Sequence, residues 1–142
     1  MIFPDINVLI LAHRSDVPNH AKMKGFWNDV VRSPTDFAVT DIVLTGFVRV
    51  VTNPRAFRVP TPVHLALLFC EDILNRQTCV RVGPQAAFWS IFSDLCRQEN
   101  AKANAIPDIY MASIALESSL VLASADRGFA RFSGLHWVDP LN

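Results

Sequence analysis

Met1-Ile-Phe-Pro-Asp5-Ile-Asn7-Val-Leu-Ile10 opens the chain, and its reading decides the fold. Ile2 and Phe3 make a short apolar run suited to a strand buried on both faces. From Ile6 the pattern changes, because Ile6, Leu9, Ile10 and His13 recur at helical spacing. Asp5 therefore stands where a central strand ends and a helix begins. In an open α/β sheet, ligands bind at that carboxyl edge. The same position also suits a plain helix cap that complements the helix dipole.

After this helix, polar Arg14 to Asn19, with Pro18, predicts a loop. His20 to Arg32 predicts a second helix with Met23, Phe26, Trp27, Val30 and Val31 on one face. Phe37 to Val39 reads as a short buried strand. Thr40 is the expected N-cap of a third helix that runs to about Thr52 and stops ahead of Asn53-Pro54. A proline-rich connection, Arg55 to Pro62, leads into a fourth helix through Leu74, with Pro62 in its first turn. Cys79 to Val82 is the third strand. Gln85 to about Gln98 is a fifth helix, with Phe88, Ile91, Phe92 and Leu95 facing in. Ile106-Pro107-Asp108 opens a sixth helix running to about Ser118. Val121 to Ala123 is a fourth strand, Arg127 to Phe132 a helical turn, and Trp137-Val138 a short last strand. This alternation predicts an α/β fold in one domain over residues 1–142, a three-layer α/β/α sandwich around a central parallel sheet.

Composition narrows the function classes. Of 142 residues, 51% are hydrophobic and 18% charged, which excludes a disordered or collagen-like chain. No stretch reaches the roughly 18 apolar residues of a membrane span. Asp5 interrupts the apolar start too early for a secretory signal, so a cytoplasmic protein is expected. Lys plus Arg balances Asp plus Glu, 13 against 13, unlike a general polyanion binder. Cys70, Cys79 and Cys96 lie far apart with no CxxC and are expected as buried, reduced thiols.

Three aspartates share one kind of position. Asp5 ends the first strand, Asp126 follows the fourth, and Asp108 lies in the first turn of the helix before that fourth strand. If the two strands are neighbours, all three carboxylates converge at one sheet edge. Each alone has a plainer role, as a helix cap or a turn residue. Together, like charges repel and raise one another's pKa, which a divalent cation relieves. Oxygen-only ligands favour Mg2+, with Mn2+ able to substitute. Asn7 and Ser124 stand two residues from Asp5 and Asp126. They are placed either to hydrogen-bond the ligating carboxylates or to cap locally. Between Ile42 and Cys70 there is no acidic residue, while Arg49, Arg55 and Arg58 make a basic strip, either an ordinary solvated face or, beside the acidic triad, a holder of phosphates. Phe57 suits stacking on a base, though core packing explains it at least as well.

Four stretches make the chain resemble a known family. They are Pro4-Asp5-Ile-Asn7-Val-Leu, Thr45-Gly-Phe-Val-Arg49-Val-Val-Thr52-Asn-Pro54-Arg55, Ile106-Pro-Asp108-Ile-Tyr-Met-Ala-Ser-Ile-Ala, and Ser124-Ala-Asp126-Arg-Gly-Phe129-Ala-Arg-Phe132. In this order and spacing the chain resembles the PIN-domain ribonucleases, and among them the VapC toxins of type II toxin–antitoxin modules. The resemblance implies a Mg2+-dependent endoribonuclease acting on RNA such as tRNA or rRNA. It also implies inhibition by a VapB-type antitoxin and a homodimer. Asp5, Asp108 and Asp126 match the family's acidic site. One position departs from it: the family usually carries a glutamate three residues before the third-helix arginine, and here Gly46 precedes Arg49. Asp41 is no replacement, because five residues along a helix is about 140° of rotation. One well-occupied metal is therefore expected rather than two.

Two other small α/β classes fit less well. A phosphoacceptor receiver wants an acidic pair after the first strand and a lysine after the last, and a dehalogenase-type phosphatase wants Asp-x-Asp where this chain has Asp5-x-Asn7. A PIN domain kept only for binding, without catalysis, is the remaining alternative. The antitoxin is expected across the third and fourth helices, with Leu65, Leu68, Phe69 and Ile73 as apolar anchors.

Overall fold

In the computed structural model, which describes residues 1–142, β1 (Ile2–Pro4) is the central strand of a five-stranded sheet ordered β3-β2-β1-β4-β5. The neighbours are β2 (Phe37–Val39), β3 (Cys79–Arg81), β4 (Val121–Ala123) and β5 (His136–Val138), and every pairing is parallel. Parallel strands require crossovers, and helices supply them. These are α1 (Ile6–His13), α2 (His20–Arg32), α3 (Asp41–Val51), α4 (Val63–Leu74), α5 (Phe88–Glu99) and α6 (Ala105–Glu117). The result is the expected α/β sandwich with a parallel sheet. No helix is long and apolar enough to cross a membrane.

The short strands read as continuous apolar runs because the sheet is covered. Phe3, Ala38, Val39, Leu122 and Ala123 have no exposed surface. Pro4 ends β1 without an N–H to give. The next residue restores the ladder, with Asp5 N donating to Ala123 O at 2.9 Å. On α2, Met23, Trp27 and Val31 are buried at helical spacing, with Phe26 and Val30 packed beside them.

Three local expectations need correction. Thr40 occupies the N-cap position of α3, but its side chain makes no capping bond, and the residue is buried. Pro62 is the N-cap of α4 and not a first-turn residue. Helix α5 starts at Phe88, later than its apolar pattern suggests. The Gln85 and Ala87 amides donate instead to the Glu117 carboxylate, at 3.0 and 2.8 Å, and hold a turn ahead of the helix. Only Phe88 of its apolar face is fully buried. Likewise, Cys70 alone of the three free thiols is buried, and burial pushes its pKa up to about 11.

An aromatic cluster joins α1, α3 and α4. Phe47 has no exposed surface, stacks on Phe69 with centroids 4.8 Å apart, and meets the His13 ring edge-on at 5.3 Å. We predict that Phe47→Ala costs about 3–5 kcal/mol of stability, the range for deleting a buried phenyl ring. Urea unfolding of both proteins measures it, and a loss below about 1 kcal/mol would show that this cluster does not tie the helices together.

Candidate active site at the carboxyl edge of the sheet

The chain builds β1, β2 and β3 outward to one side, then crosses to place β4 and β5 on the other. The strand order reverses between β1 and β4, and the crevice at such a switch point is where open α/β sheets bind ligands. The parallel register Ile2↔Val121, Phe3↔Leu122, Pro4↔Ala123 brings Asp5 and Ser124 side by side at that edge.

Asp5 caps α1 and does more than cap. Its Oδ1 accepts from Ile6 N at 2.7 Å, while Oδ2 accepts from Asn7 Nδ2 at 2.7 Å and from Ser124 Oγ at 2.8 Å. Asn7 Oδ1 accepts from Ala125 N, and Ser124 Oγ accepts from Asp126 N at 3.0 Å. Asn7 and Ser124 thus hold the Asp5 carboxylate and the loop carrying Asp126 as one network. Asp126 in turn accepts from Gly128 N at 2.8 Å and starts a 3-10 turn, Arg127–Arg131. Asp108 arrives from the first turn of α6.

Gathering these acids is unfavourable, and the pKa directions say so. Burial raises Asp5 above its ordinary value; Ser124 and the Ile6 amide oppose it, while Asp108 and Asp126 push the same way. Burial and then Asp126 raise Asp108, against the pull of Arg131. The Arg131 guanidinium lies 3.7 Å from Asp108 and 3.3 Å from Glu99, donates to Gly128 O, and stacks 4.2 Å over Phe132. Gly128 keeps this corner open: a Cβ there would stand 3.0 Å from both Arg131 Nη1 and Asp126 Oδ1.

A cavity of about 600 Å3 opens at this edge. Asp5, Asp108, Asp126, Asn7 and Arg49 all line it, and Ser124 stands fully buried behind Asp5. Arg55 and Arg58 do not reach it; they are exposed on the connection between α3 and α4. Phe57 packs under the Arg14 guanidinium, 4.1 Å from its ring, so packing is its role. Asp41 pairs with Arg81 outside the cavity, as its helical rotation requires. Gly46 lines the cavity and lets α3 approach α1 closely, since a Cβ there would stand 3.0 Å from Ile6 Cδ1. Sequence reasoning missed Tyr110, Ile42 and Thr45 in the lining, and Arg131 against Asp108. Tyr110 stands two residues from Asp108, but its apolar helix hides it among core positions.

No family model matches the chain. Among curated proteins it is similar to VapC ribonuclease Mb2897 of Mycobacterium bovis, with 38% identity over 142 residues, 100% of this chain and 97% of the relative. It is also similar to Ribonuclease VapC25 of Mycobacterium tuberculosis, with 31% identity and 99% of each chain covered. Among solved structures it is similar to FitAB bound to the IR36 DNA fragment, with TM-score 0.70, 18% identity, and 100% and 96% of the two chains covered. VapBC-1 from nontypeable Haemophilus influenzae gives TM-score 0.68 and 14% identity over the whole of both chains. Mycobacterium tuberculosis VapC20, described as a Sarcin-Ricin loop cleaving toxin, gives 0.67 and 15%, with 96% and 99% covered.

The raised pKa of Asp108 predicts that removing its charge does not harm the fold. The folded carboxyl takes up its proton at a higher pH than the unfolded one, so ionisation weakens the fold above that raised value. Wild type recovers stability as pH falls through it. In EDTA, Asp108→Asn is therefore expected to melt no lower than wild type at pH 7, with any margin vanishing near pH 4. A variant melting several degrees lower at pH 7 would show that the Arg131 pair outweighs the repulsion.

Proposed function

The chain belongs to the VapC ribonucleases, and from that premise we propose that it is the toxin of a type II toxin–antitoxin module. It hydrolyses RNA phosphodiester bonds with Mg2+, acts on loops of tRNA or rRNA in the cytoplasm, and is neutralised by a VapB-type antitoxin. One observation carries this reading: three carboxylates from distant parts of the chain share one cavity at the switch point of the sheet.

The donor set fits a hard divalent cation. It is all oxygen, and its mutual repulsion is the kind that such an ion relieves. Asp5, Asp108 and Asp126 would hold Mg2+, or Mn2+ in its place. They do not close into a compact ligand cluster, so waters would have to complete the shell of a bound ion. Once bound, the ion polarises a phosphate oxygen and lowers the pKa of a bound water. The chain supplies the rest. Asn7 and Ser124 fix the Asp5 carboxylate. Asp126, tied down by the Gly128 amide, orients the attacking water. Arg49 is exposed at the cavity, enters none of the chain's six ion pairs, and takes a phosphate oxygen of the RNA.

Purified protein is expected to cut RNA in Mg2+ and not in EDTA. Asp5→Asn, Asp108→Asn or Asp126→Asn should each lower kcat by roughly 100- to 1,000-fold, the scale of removing one preorganised electrostatic group. Mapping new RNA 5′ ends after induction identifies the target. Full activity in folded Asp108→Asn, or equal cutting in EDTA, overturns the reading. Binding without cutting would point to a PIN-fold module that has lost catalysis with the Gly46 departure.

For the antitoxin, the apolar anchors are redrawn. Ile73 is buried and not free to receive a partner, while half-buried Phe69 stacks on Phe47 and keeps only part of its surface for one. Leu65 and Leu68 are exposed, and Val63 and Leu67 of α4 are exposed with them. This region serves the antitoxin, the homodimer, or both in adjacent parts. Leu68→Asp is expected to abolish co-purification of a tagged antitoxin from the neighbouring gene while leaving the melting temperature within a few degrees. Retained binding in the folded variant would move the interface elsewhere.

A further inference from the structure

We infer that the apolar side of the catalytic cavity seats one unpaired nucleobase beside the scissile phosphate, with Tyr110 and Ile42 as its stacking contacts. This deepens the ribonuclease reading and rests on it. The carboxylates line only part of the cavity. Beside the polar Asn7, Thr45 and Arg49, the lining carries apolar surface, with Tyr110, Ile42 and Pro107 as its more accessible members. Phosphate does not need such a wall. An occupant suited to this mixed lining is apolar on its faces, polar at its edges, and attached to a phosphate. A nucleobase meets all of these conditions.

Tyr110 is well placed for the role. It is half-buried, held edge-on by Phe88 with centroids 5.1 Å apart, and still lines the cavity. A braced ring loses little freedom when a base stacks on it. Ile42 is half exposed and lies on the exposed stripe of α3 that also carries Thr45 and Arg49. Thr45 and Arg49, one and two turns further along α3, line the same cavity with polar groups for the base edge and the phosphate. Gly46 adds room, because any side chain there would push Ile6 aside or enter the space.

Charge points the same way. The chain is neutral, and Arg49 is the only Lys or Arg in the cavity lining. Affinity through neutralised phosphates is correspondingly small at this site. Base stacking supplies a grip that needs no charge. A paired base is stacked inside its helix and cannot enter a cavity, so the seat selects RNA whose target nucleotide is unpaired.

The test uses a short single-stranded RNA spanning the mapped cleavage site, and two copies carrying an abasic ribose immediately 5′ or 3′ of the scissile bond. Base stacking contributes about 1–3 kcal/mol, so one abasic RNA should lose roughly 5- to 150-fold in kcat/KM. Tyr110→Ala and Ile42→Ser should lose a similar factor on intact RNA and almost nothing further on that abasic RNA, since both changes remove one shared contact. Tyr110→Phe should recover most of the loss. A variant that merely loosens the site would lose equally on all three RNAs, and that result overturns the inference. Equal cleavage of intact and abasic RNAs by wild type also overturns it while leaving the ribonuclease reading standing. If wild type cuts none of them in Mg2+, the ribonuclease reading fails and the base seat fails with it.

Discussion

The parallel pairing of β1 with β4 is the constraint on which the rest of the site depends. Its register sets Pro4 beside Ala123, and the next residue on each strand is then Asp5 or Ser124. Because side chains alternate faces along a strand, a slip by one residue would turn Asp5 away from Ser124 and break the network. The fully buried Phe3 and Leu122 resist that slip, since it would carry both off the faces they fill. Hydrophobic burial thereby fixes the position of a carboxylate that contributes nothing favourable to the core.

The acids illustrate how a fold tolerates what it would otherwise reject. Asp5 is almost entirely buried, yet its two oxygens receive three hydrogen bonds, and no buried side-chain polar atom in the chain lacks a partner. Asp108 is less enclosed and relies on a distant contact with Arg131, itself shared with Glu99. These arrangements offset only part of the cost, and the raised pKa values of Asp5 and Asp108 reflect burial first and the neighbouring carboxylates second. A strained electrostatic arrangement in a cavity is a common mark of a functional site.

The flank of the cavity follows from helix packing. Close approach of α3 to α1 at Gly46 brings Ile42, Thr45 and Arg49 to the opening from one helix. On the outer side, α3 and α4 leave large apolar side chains in water, which a monomer of this size has no structural need to do. Helix α3 borders the acidic cavity, and α4, packed against it, carries the exposed apolar side chains.

Local sequence determined most of the elements. The switch from a strand run to helical spacing at Asp5 was legible, as were α2, β2 and β4, because apolar periodicity depends on which face must be buried. The three aspartates were legible as a set, since each lies beside a strand end or helix start. What the residues alone left conditional was their meeting, which required β1 and β4 to be neighbours across more than a hundred residues of chain. Tertiary packing also decided that Asn7 and Ser124 both serve Asp5, that Arg49 reaches the cavity while Arg55 and Arg58 do not, that Ile73 is buried and that Phe69 packs half-buried on Phe47. The start of α5 moved for the same reason: Glu117, remote in sequence, captures the Gln85 and Ala87 amides. Periodicity reports which face of an element is buried, but not what buries it. Tyr110, Ile42 and Arg131 acquire their places only from neighbours that arrive from elsewhere in the chain.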